Sequence, residues 1–553
     1  MFSFDCMLNG KELDLNSVKK LESFSRLIEM IQNYYTGFSK YSNEFTIPYL
    51  LATLYFGEAE QKKLLKTPPL ESFQSYMDLL EFNMNLFSRG FQSSIKAISN
   101  YSEYEMQNAI AAVFRTFFPF IRNEGENLND FLARQADLIK LVAEDFPQAI
   151  LDIEPEYGFH FERGEHELVA ETDRFYMYQV APVDKSIKID KNKKPILIIP
   201  PFVLGANILA FLPHEGRSYA HCFSNMGVPT YIRIMKDIET TEALQLMTPE
   251  DDCLDTQYFC EKIVERNAKP VTLNGYCQGG YMVVCNYLSG KLDNVVDALI
   301  TCVSPMDGTR SEGLAKFLNS LPKRFRDLAY GTKVLPNGNK VADGKLMGWI
   351  YKLKSIEHES PIAAYYRDLM MFGRISKSKK KKVSKTAAAI NYWLNYERTD
   401  LPMAITKMSY DSYNIPITKE GTLPVKLFDR ELNLKRVDEK GIKWLICYGI
   451  NDDLVEKETT LAPVDYVNAE VAAFPKGHVA IATSWSLPTS ECSLHSCFGH
   501  NCRGPVRFHL DLDEEIDKSS ARNREFPVEE PAEKNEEPAE KNKDFTQDDE
   551  KNA

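Results

Sequence analysis

The sequence predicts an α/β fold in which a mainly parallel sheet carries the chemistry. From about residue 160 onward, short apolar runs alternate with segments long enough to form helices. That alternation is typical of parallel strands joined by helical crossovers. Directly after one of these runs, residues 275–280 read Gly-Tyr-Cys-Gln-Gly-Gly. The pattern therefore places a glycine-flanked cysteine at a turn from a strand into a helix.

Seven apolar runs are the predicted strands of this sheet. A short apolar run bounded by turn residues is typical of a strand that is buried on both faces. The runs are 175–180, 196–199, 228–234, 271–274, 298–303, 443–448 and 469–474. The fourth run leads into the cysteine motif, and a long interval separates the fifth from the sixth.

The first part of the chain, 1–150, is predicted to be a helical N-terminal module. Eight apolar residues recur there at spacings of three and four, which places them on one face of a long helix. They are Phe73, Met77, Leu80, Met84, Phe87, Phe91, Ile95 and Ile98. We interpret this stripe as packed against neighbouring helices or the catalytic core, and contact with a lipid or polymer surface is the alternative.

Two further segments are predicted to be additions to a core formed by 160–308 and 440–487. In 309–439 the strand rhythm stops and helix formers and aromatic residues prevail, as expected of a cap inserted over an active site. In 511–553 the heptapeptide Glu-Glu-Pro-Ala-Glu-Lys-Asn occurs twice in succession, which predicts a disordered acidic tail.

The composition indicates which ligands, which state of the cysteines and which cellular location to expect. The net charge of −13 does not suggest that the protein binds nucleic acid. Many of the eleven cysteines lie within apolar runs, which indicates reduced core thiols. Within 488–510, the cluster from Cys492 to Cys502 matches no standard zinc-finger spacing, and we predict no metal site. Because the start lacks the features of a secretory signal, we expect a cytoplasmic protein.

Cys277 is the candidate nucleophile, and its partners follow in the chain. Gly-x-Cys-x-Gly is a nucleophile elbow, a sharp turn in which the flanking glycines allow close backbone approach. In α/β-hydrolases an acid follows a later strand and a histidine follows the last one. Here Asp452 and Asp453 follow the sixth run, and His478 follows the seventh. The sequence therefore predicts an α/β-hydrolase fold with a Cys-His-Asp triad.

The expected chemistry is nucleophilic acyl transfer. A free thiol titrates near pH 8.5, so Cys277 needs His478 as a base, and the acid would hold the imidazole in the required tautomer. The backbone N–H of Gln278, at the start of the elbow helix, is one predicted oxyanion donor, and that of Phe202 or Val203 is the second.

The chain resembles the poly(3-hydroxyalkanoate) synthase family in five ordered blocks within about 165–487. Pro195 to Phe202 is similar to the family's strand that ends in a double proline, and Gly275 to Gly280 to its cysteine-containing lipase box. The other three blocks are Trp393 to Pro402, Asp452 to Val455 and Gly477 to Ala480. Gln278 departs from the family, which has an aliphatic residue at that position.

The resemblance implies a polymerase of 3-hydroxyacyl-coenzyme A thioesters in which Cys277 is the nucleophile, His478 the base and Asp452, rather than Asp453, the acid. It also implies a homodimer that acts at a polyester granule, with coenzyme A as the leaving group and no cofactor. The alternative is a cysteine-dependent hydrolase, namely a depolymerase, esterase or thioesterase. A third hypothesis is a granule-associated or lipid-associated binding protein.

Overall fold

The computed structural model describes residues 15–64, 68–118, 125–321, 331–376, 383–474 and 476–484. The Cys492 to Cys502 cluster and the predicted acidic tail lie outside the described residues. No helix in the described ranges combines the length and the apolar content needed to cross a membrane.

The strands and helices are numbered separately in chain order. The strands are β1 Glu167–Glu171, β2 Phe175–Gln179, β3 Ile196–Ile199, β4 Thr230–Met235, β5 Val271–Tyr276, β6 Val296–Cys302, β7 Thr332–Val334, β8 Lys340–Ala342, β9 Leu401–Pro402, β10 Thr422–Leu427, β11 Arg430–Asn433, β12 Lys443–Gly449 and β13 Glu470–Phe474. The helices are α1 Leu15–Leu64, α2 Pro69–Phe117, α3 Leu128–Lys140, α4 Phe146–Asp152, α5 Tyr219–Ser224, α6 Glu242–Gln245, α7 Pro249–Asn267, α8 Gln278–Leu288, α9 Leu314–Ser320, α10 Gly344–Lys354, α11 Ile356–Glu359, α12 Pro361–Ser376, α13 Lys385–Tyr396, α14 Met403–Asn414, α15 Arg436–Glu439, α16 Lys457–Thr460 and α17 Ala480–Ser484.

An eight-stranded sheet in the order β1-β2-β4-β3-β5-β6-β12-β13 forms the centre of the molecule. The pairs β1–β2 and β2–β4 are antiparallel, and the other five pairs are parallel. A mostly parallel sheet of this kind, with a nucleophile turn after its fifth strand, is the α/β-hydrolase fold. The predicted fold class is confirmed, and each of the seven predicted strands is present with ends within two residues of the prediction.

The two faces of this sheet are covered by separate apolar clusters. Because successive side chains of a strand point to opposite faces, Leu197 and Ile199 of β3 belong to one cluster and Ile196 and Ile198 to the other. All four are at most 1% exposed. The sheet is therefore buried on both sides, as the apolar runs predicted.

The N-terminal part of the described chain is helical, and α2 contains the whole predicted stripe together with the apolar residues that follow it. A helix of 49 residues is about 74 Å long at 1.5 Å per residue. One face of α2 packs on the body of the molecule. Ser94 Oγ lies 3.3 Å from Ser360 Oγ, and Arg89 Nε donates to Glu357 Oε1 at 2.6 Å.

The predicted packing of the stripe is wrong. All eight side chains are exposed, from 37% at Ile98 to 74% at Phe87. The residues that face the body of the protein, among them Leu86 and Gly90, lie on another side of the helix. The spacing correctly predicts that the eight residues share one face of the helix, but that face is exposed to solvent.

The segment between β6 and β12 is mainly helical, from α9 to α15, and it also contains five short strands. They form the three-stranded sheet β7-β8-β9 and the hairpin β10-β11. The prediction that strands cease in this segment is therefore wrong. β9 has only two residues and β7 and β8 three each, so none of these is long enough to show an alternating pattern.

Candidate active site

Cys277 lies in the sharp turn between β5 and α8. Its backbone has φ 52° and ψ −123°, a strained conformation for a residue with a side chain. The Cys277 N–H donates to the Cys302 carbonyl at 2.8 Å, and the Gly280 N–H donates to the Cys277 carbonyl at 2.9 Å. These bonds hold the turn from both sides, and the thiol remains half-buried. This is the geometry of the predicted elbow.

The glycines around Cys277 are required by close backbone approach. A Cβ added to Gly275 would meet the Gly279 carbonyl oxygen at 2.6 Å. A Cβ added to Gly279 would lie 2.7 Å from the Pro200 carbonyl oxygen and closer still to that of Ile199. Both contacts involve backbone atoms that cannot rotate away, so the sequence Gly-x-Cys-x-Gly is fixed by packing.

Asp452 and His478 form a buried pair. Asp452 Oδ2 lies 2.8 Å from His478 Nδ1, and Asp452 Oδ1 accepts from the backbone N–H groups of Leu454 at 3.0 Å and Val455 at 2.9 Å. Asp453, the other candidate acid, is exposed. The geometry therefore selects Asp452 as the partner of the histidine and leaves Asp453 at the surface.

The second ring nitrogen of His478, Nε2, is not engaged by Asp452, which binds Nδ1. Nε2 is buried and has no hydrogen-bond partner among the described residues. Burial lowers the pKa of His478, but the Asp452 carboxylate and the Cys277 sulfur raise it more, and the pKa lies well above its usual value. Cys277 is near enough to contribute to the rise of this pKa. The Tyr276 hydroxyl donates to the His478 carbonyl at 2.6 Å and steadies the loop.

The three predicted oxyanion donors lie at the two places expected of them. Gln278 is the first residue of α8, and Phe202 and Val203 follow the double proline after β3. The backbone N–H groups of these residues donate no hydrogen bond to other described backbone groups. The Phe202 ring is 4% exposed and lies against Arg233, so its side chain is structural.

The Gln278 side chain contacts the cap. Its Nε2 donates to Ser409 Oγ of α14 at 2.5 Å, and Ser409 in turn donates to the Ile405 carbonyl. The first residue after the nucleophile is thus tied to a cap helix. The sequence shows that Gln278 departs from the family that the chain resembles, but no sequence pattern indicates a role for Ser409.

A segment of the cap, residues 393–399, holds the loop that carries the predicted second donor, and we call it the cap strap. The Thr399 N–H donates to the Val203 carbonyl at 3.2 Å, and Trp393 Nε1 donates to the Leu204 carbonyl at 3.2 Å. Both bonds use carbonyls of the loop and leave its N–H groups to the site.

Glu397 completes this attachment from within the cap strap. Its Oε1 accepts from Asn207 Nδ2 at 2.6 Å and its Oε2 from the Tyr157 hydroxyl at 3.1 Å. Burial raises the pKa of Glu397, whereas the bonds from Asn207 and Tyr157 lower it, and the net direction is upward. Sequence reasoning did not identify Glu397 as a site residue, although it lies within one of the five quoted blocks.

Several solved structures to which the chain is similar are named as esterases or thioesterases, and another is named as a putative non-heme bromoperoxidase from Mycobacterium tuberculosis. A carboxylesterase from Nitrososphaera gargenis has a TM-score of 0.32 at 13% identity, covering 57% of this chain and 92% of its own. The thioesterase domain from the curacin biosynthetic pathway has a TM-score of 0.31 at 11% identity, covering 58% and 95%. An esterase from Rhodococcus sp. ECU1013 has a TM-score of 0.30 at 10% identity, covering 58% and 94%.

Because these TM-scores are low, the fold is assigned from the strand order and the elbow. No protein-family model matches the chain, and no curated protein matches it.

Proposed function

We propose that the chain is an enzyme that transfers acyl groups through a thioester on Cys277. The observation that carries this proposal is the buried Nε2 of His478. It has no hydrogen-bond partner in the described chain, and Asp452 holds the opposite ring nitrogen. With Nδ1 bound to Asp452, the free Nε2 beside Cys277 is the atom that accepts the thiol proton.

The acylation step follows from this arrangement. Nε2 takes the proton from Cys277, and the sulfur attacks the carbonyl carbon of an acyl thioester. The N–H groups of Gln278 and of Phe202 or Val203 stabilise the oxyanion, an interaction typically worth about 3–4 kcal/mol per donor. The carbonyl re-forms, the carbon–sulfur bond to the leaving group breaks, and His478 returns the proton to the departing thiolate.

We further propose that the acyl donor is a 3-hydroxyacyl-coenzyme A and that the acceptor is the hydroxyl of a growing polyester. The hydroxyl loses its proton to His478 and attacks the acyl-enzyme, an ester bond forms, and Cys277 leaves as the thiolate. Exchange of one thioester for another is nearly isoenergetic, so a cysteine nucleophile keeps the acyl group activated for this second step. The resemblance of the five blocks to polyester synthases supports this substrate class.

Hydrolysis by the same residues is the second candidate function. The observation that favours it is the partial exposure of Cys277, because water that reaches the acyl-enzyme would replace the hydroxyl acceptor. Because acylation of Cys277 is common to the synthase and the hydrolase, only the final product distinguishes the two functions.

The test supplies the purified full chain with 3-hydroxybutyryl-coenzyme A and measures free coenzyme A and polymer. Polymer formation supports the synthase. Release of coenzyme A together with monomeric 3-hydroxybutyrate assigns the hydrolase, and no release of coenzyme A from this or longer acyl chains contradicts the substrate class.

Covalent chemistry is tested separately with Cys277→Ala and with Cys260→Ala, a buried thiol of α7, as the matched control. We expect the first variant to lose coenzyme A release and the second to keep it. Intact-protein mass spectrometry of the wild type should show one added acyl group, located by peptide mapping to Cys277. Activity that survives in Cys277→Ala would exclude the thioester mechanism.

A further inference from the structure

A cavity of about 630 Å³ lies between the N-terminal helices and the cap. Helices α1, α4, α10, α12 and α13 contribute most of its walls, and Cys277, Asp452 and His478 do not line it. Pockets that bind small molecules usually have volumes of about 300–1,000 Å³, so a ligand of moderate size fits here. We call this space the module cavity.

Apolar side chains from three helices line the module cavity. They are Phe45 of α1, Phe146 and Ile150 of α4, and Ile390 and Leu394 of α13. An aliphatic chain placed against these side chains is removed from water, which is favourable. The lining therefore suits a ligand with an apolar part.

Arg367 already has acidic partners at the module cavity. Its Nε lies 3.1 Å from Asp368 Oδ1, and its Nη1 lies 3.1 Å from Glu359 Oε1. The Tyr41 hydroxyl donates to the other oxygen of Asp368 at 2.5 Å. These groups satisfy one another within the protein and do not need a ligand.

Lys40 and Lys352 also line the module cavity, but neither forms a hydrogen bond or a close ion pair with another described residue. Glu44 is near enough to interact electrostatically with both, yet it is exposed and is one acid for two bases. Burial lowers the pKa of Lys40 more than Glu44 raises it. The positive charge here is therefore only partly compensated.

The charge of the whole lining has the same sign. Its basic side chains are Lys40, Lys352, Arg367 and Arg398, and its acidic side chains are Glu44, Glu359 and Asp368. One negative charge would balance this set. A ligand with a single anionic group is therefore the best match.

We propose that the module cavity binds a single-chain aliphatic carboxylate, whose carboxylate contacts Lys40 and Lys352 and whose chain lies against the apolar lining. Ionised groups that are withdrawn from water are normally paired, and a carboxylate supplies the strong charge-assisted hydrogen bonds that the two lysines lack. A two-chain phospholipid is larger than the drug-sized ligands that a cavity of this volume holds.

Helix α13 connects the module cavity to the cap strap. Ile390 and Leu394 line the cavity, and Trp393 of the same helix donates to the Leu204 carbonyl at 3.2 Å. A ligand bound against α13 therefore contacts the helix that holds the core loop.

The test is isothermal titration calorimetry of the purified full chain with decanoate, at concentrations below those at which decanoate forms micelles. We expect saturable binding of one decanoate per chain. In Lys40→Gln/Lys352→Gln the dissociation constant should rise at least about 10-fold, because hydrogen bonds from charged groups are stronger than neutral ones. The matched control is Lys262→Gln/Lys426→Gln, which removes two lysines that pair with acids at the surface and should bind as the wild type does.

The two parts of the ligand are tested with decanol, which lacks the charge, and with acetate, which lacks the chain. Both should bind at least about 10-fold more weakly than decanoate. Leu394→Glu places a negative charge on the apolar lining and should weaken decanoate binding to a similar extent. Leu394 is 39% exposed, so the change is compatible with folding, and circular dichroism should show the same helix content in every variant.

Absence of saturable decanoate binding overturns the proposal, as does binding that neither the lysine substitutions nor Leu394→Glu weakens. Equal affinity for decanol excludes an anionic ligand. Binding that is lost in Phe87→Ser/Phe91→Ser but kept in the lysine variant assigns decanoate to the exposed face of α2 instead. Binding to phosphatidylglycerol vesicles without binding of free decanoate assigns a lipid surface. The measurement does not use catalysis, so its outcome is independent of the proposed function.

Discussion

Asp452 determines which nitrogen of His478 is free to act. Its Oδ2 occupies Nδ1, while its Oδ1 is held by two backbone N–H groups and cannot swing away. The carboxylate also offsets the effect of burial on the histidine, whose pKa is raised. The orientation of the His478 ring and its pKa therefore both depend on the Asp452 side chain.

We predict that Asp452→Asn lowers kcat on the order of 10⁴-fold, because the amide can stabilise the wrong tautomer. The pH dependence of stability should change as well. A raised pKa gives the wild type a stabilising contribution that is fully present below about pH 6.5 and is lost as pH rises through the folded-state pKa. Without the carboxylate, burial dominates and the pKa of His478 falls.

Urea midpoints across pH, together with the NMR titration of His478, measure this difference. In Asp452→Asn the stabilisation should no longer decline over the alkaline part of the range. Identical pH profiles for the two proteins would contradict the role of Asp452.

Substitution of Gly279 tests whether close backbone contacts determine the conformation of the elbow. Gly279→Ala would place a Cβ 2.7 Å from the Pro200 carbonyl oxygen, and we expect it to reduce the free energy of unfolding by about 3 kcal/mol or more. Gly57→Ala is the control, because its Cβ would meet nothing within 4 Å. In the middle of α1 that change should stabilise by about 0.5–1 kcal/mol. Equal effects in urea denaturation would show that backbone approach at the elbow is unimportant.

At the scale of elements, the cap strap links the cap to the core loop that carries the predicted second oxyanion donor. The Thr399 N–H and Trp393 Nε1 hold two carbonyls of that loop, and Glu397 binds Asn207. A displacement of α13 would therefore be transmitted to the N–H groups of Phe202 and Val203. Glu397 is in this sense a positioning residue.

We predict that Glu397→Ala lowers kcat about 10-fold with little change in KM, since displacement of one oxyanion donor costs less than the 10²–10³ loss from its removal. Glu397→Gln should recover most of the activity because its amide oxygen can still accept from Asn207. Glu431→Ala, which removes an exposed acid of β11, is the control. Equal losses in the Ala and Gln variants would argue against positioning.

The sequence was informative where burial on both faces made a strand apolar. β3 was predicted with its observed ends because all four of its residues are buried. β1 was missed because it is an edge strand with three exposed residues out of five and only three consecutive apolar residues. The proposed triad of Cys277, Asp452 and His478 could be predicted because such triads follow a fixed order along the chain. Glu397, Asn207 and Ser409 could not, because their contacts exist only after the cap has folded onto the core.

At the scale of the whole molecule, adjacent residues of α2 lie in different environments. Leu86 is buried against the cap and Phe87 is 74% exposed. A periodic pattern places both on a helix, but it does not show which face meets the rest of the chain. That is why the direction of the stripe was predicted wrongly.

We predict that Leu86→Ala lowers the melting temperature at every protein concentration, with a loss of about 2–5 kcal/mol from the cavity it leaves. Phe87→Ala should instead leave the melting temperature nearly unchanged, because Phe87 is 74% exposed and its truncation leaves no cavity. Calorimetry of the two variants and the wild type separates the two effects. A similar uniform loss in both variants would place Phe87 in the core of the monomer.

The order of the strands in the chain also governs when the molecule acquires its reactivity. β12 pairs directly with β6, although the entire cap is synthesised between them, and His478 follows the last strand. Domains emerge from the ribosome N-terminal part first, so Cys277 is made long before its base. Until β12 and β13 join the sheet, a nascent or truncated chain carries a thiol with no activating partner. Under the proposed mechanism, the topology alone therefore delays acylation of Cys277 until the last strands have joined the sheet.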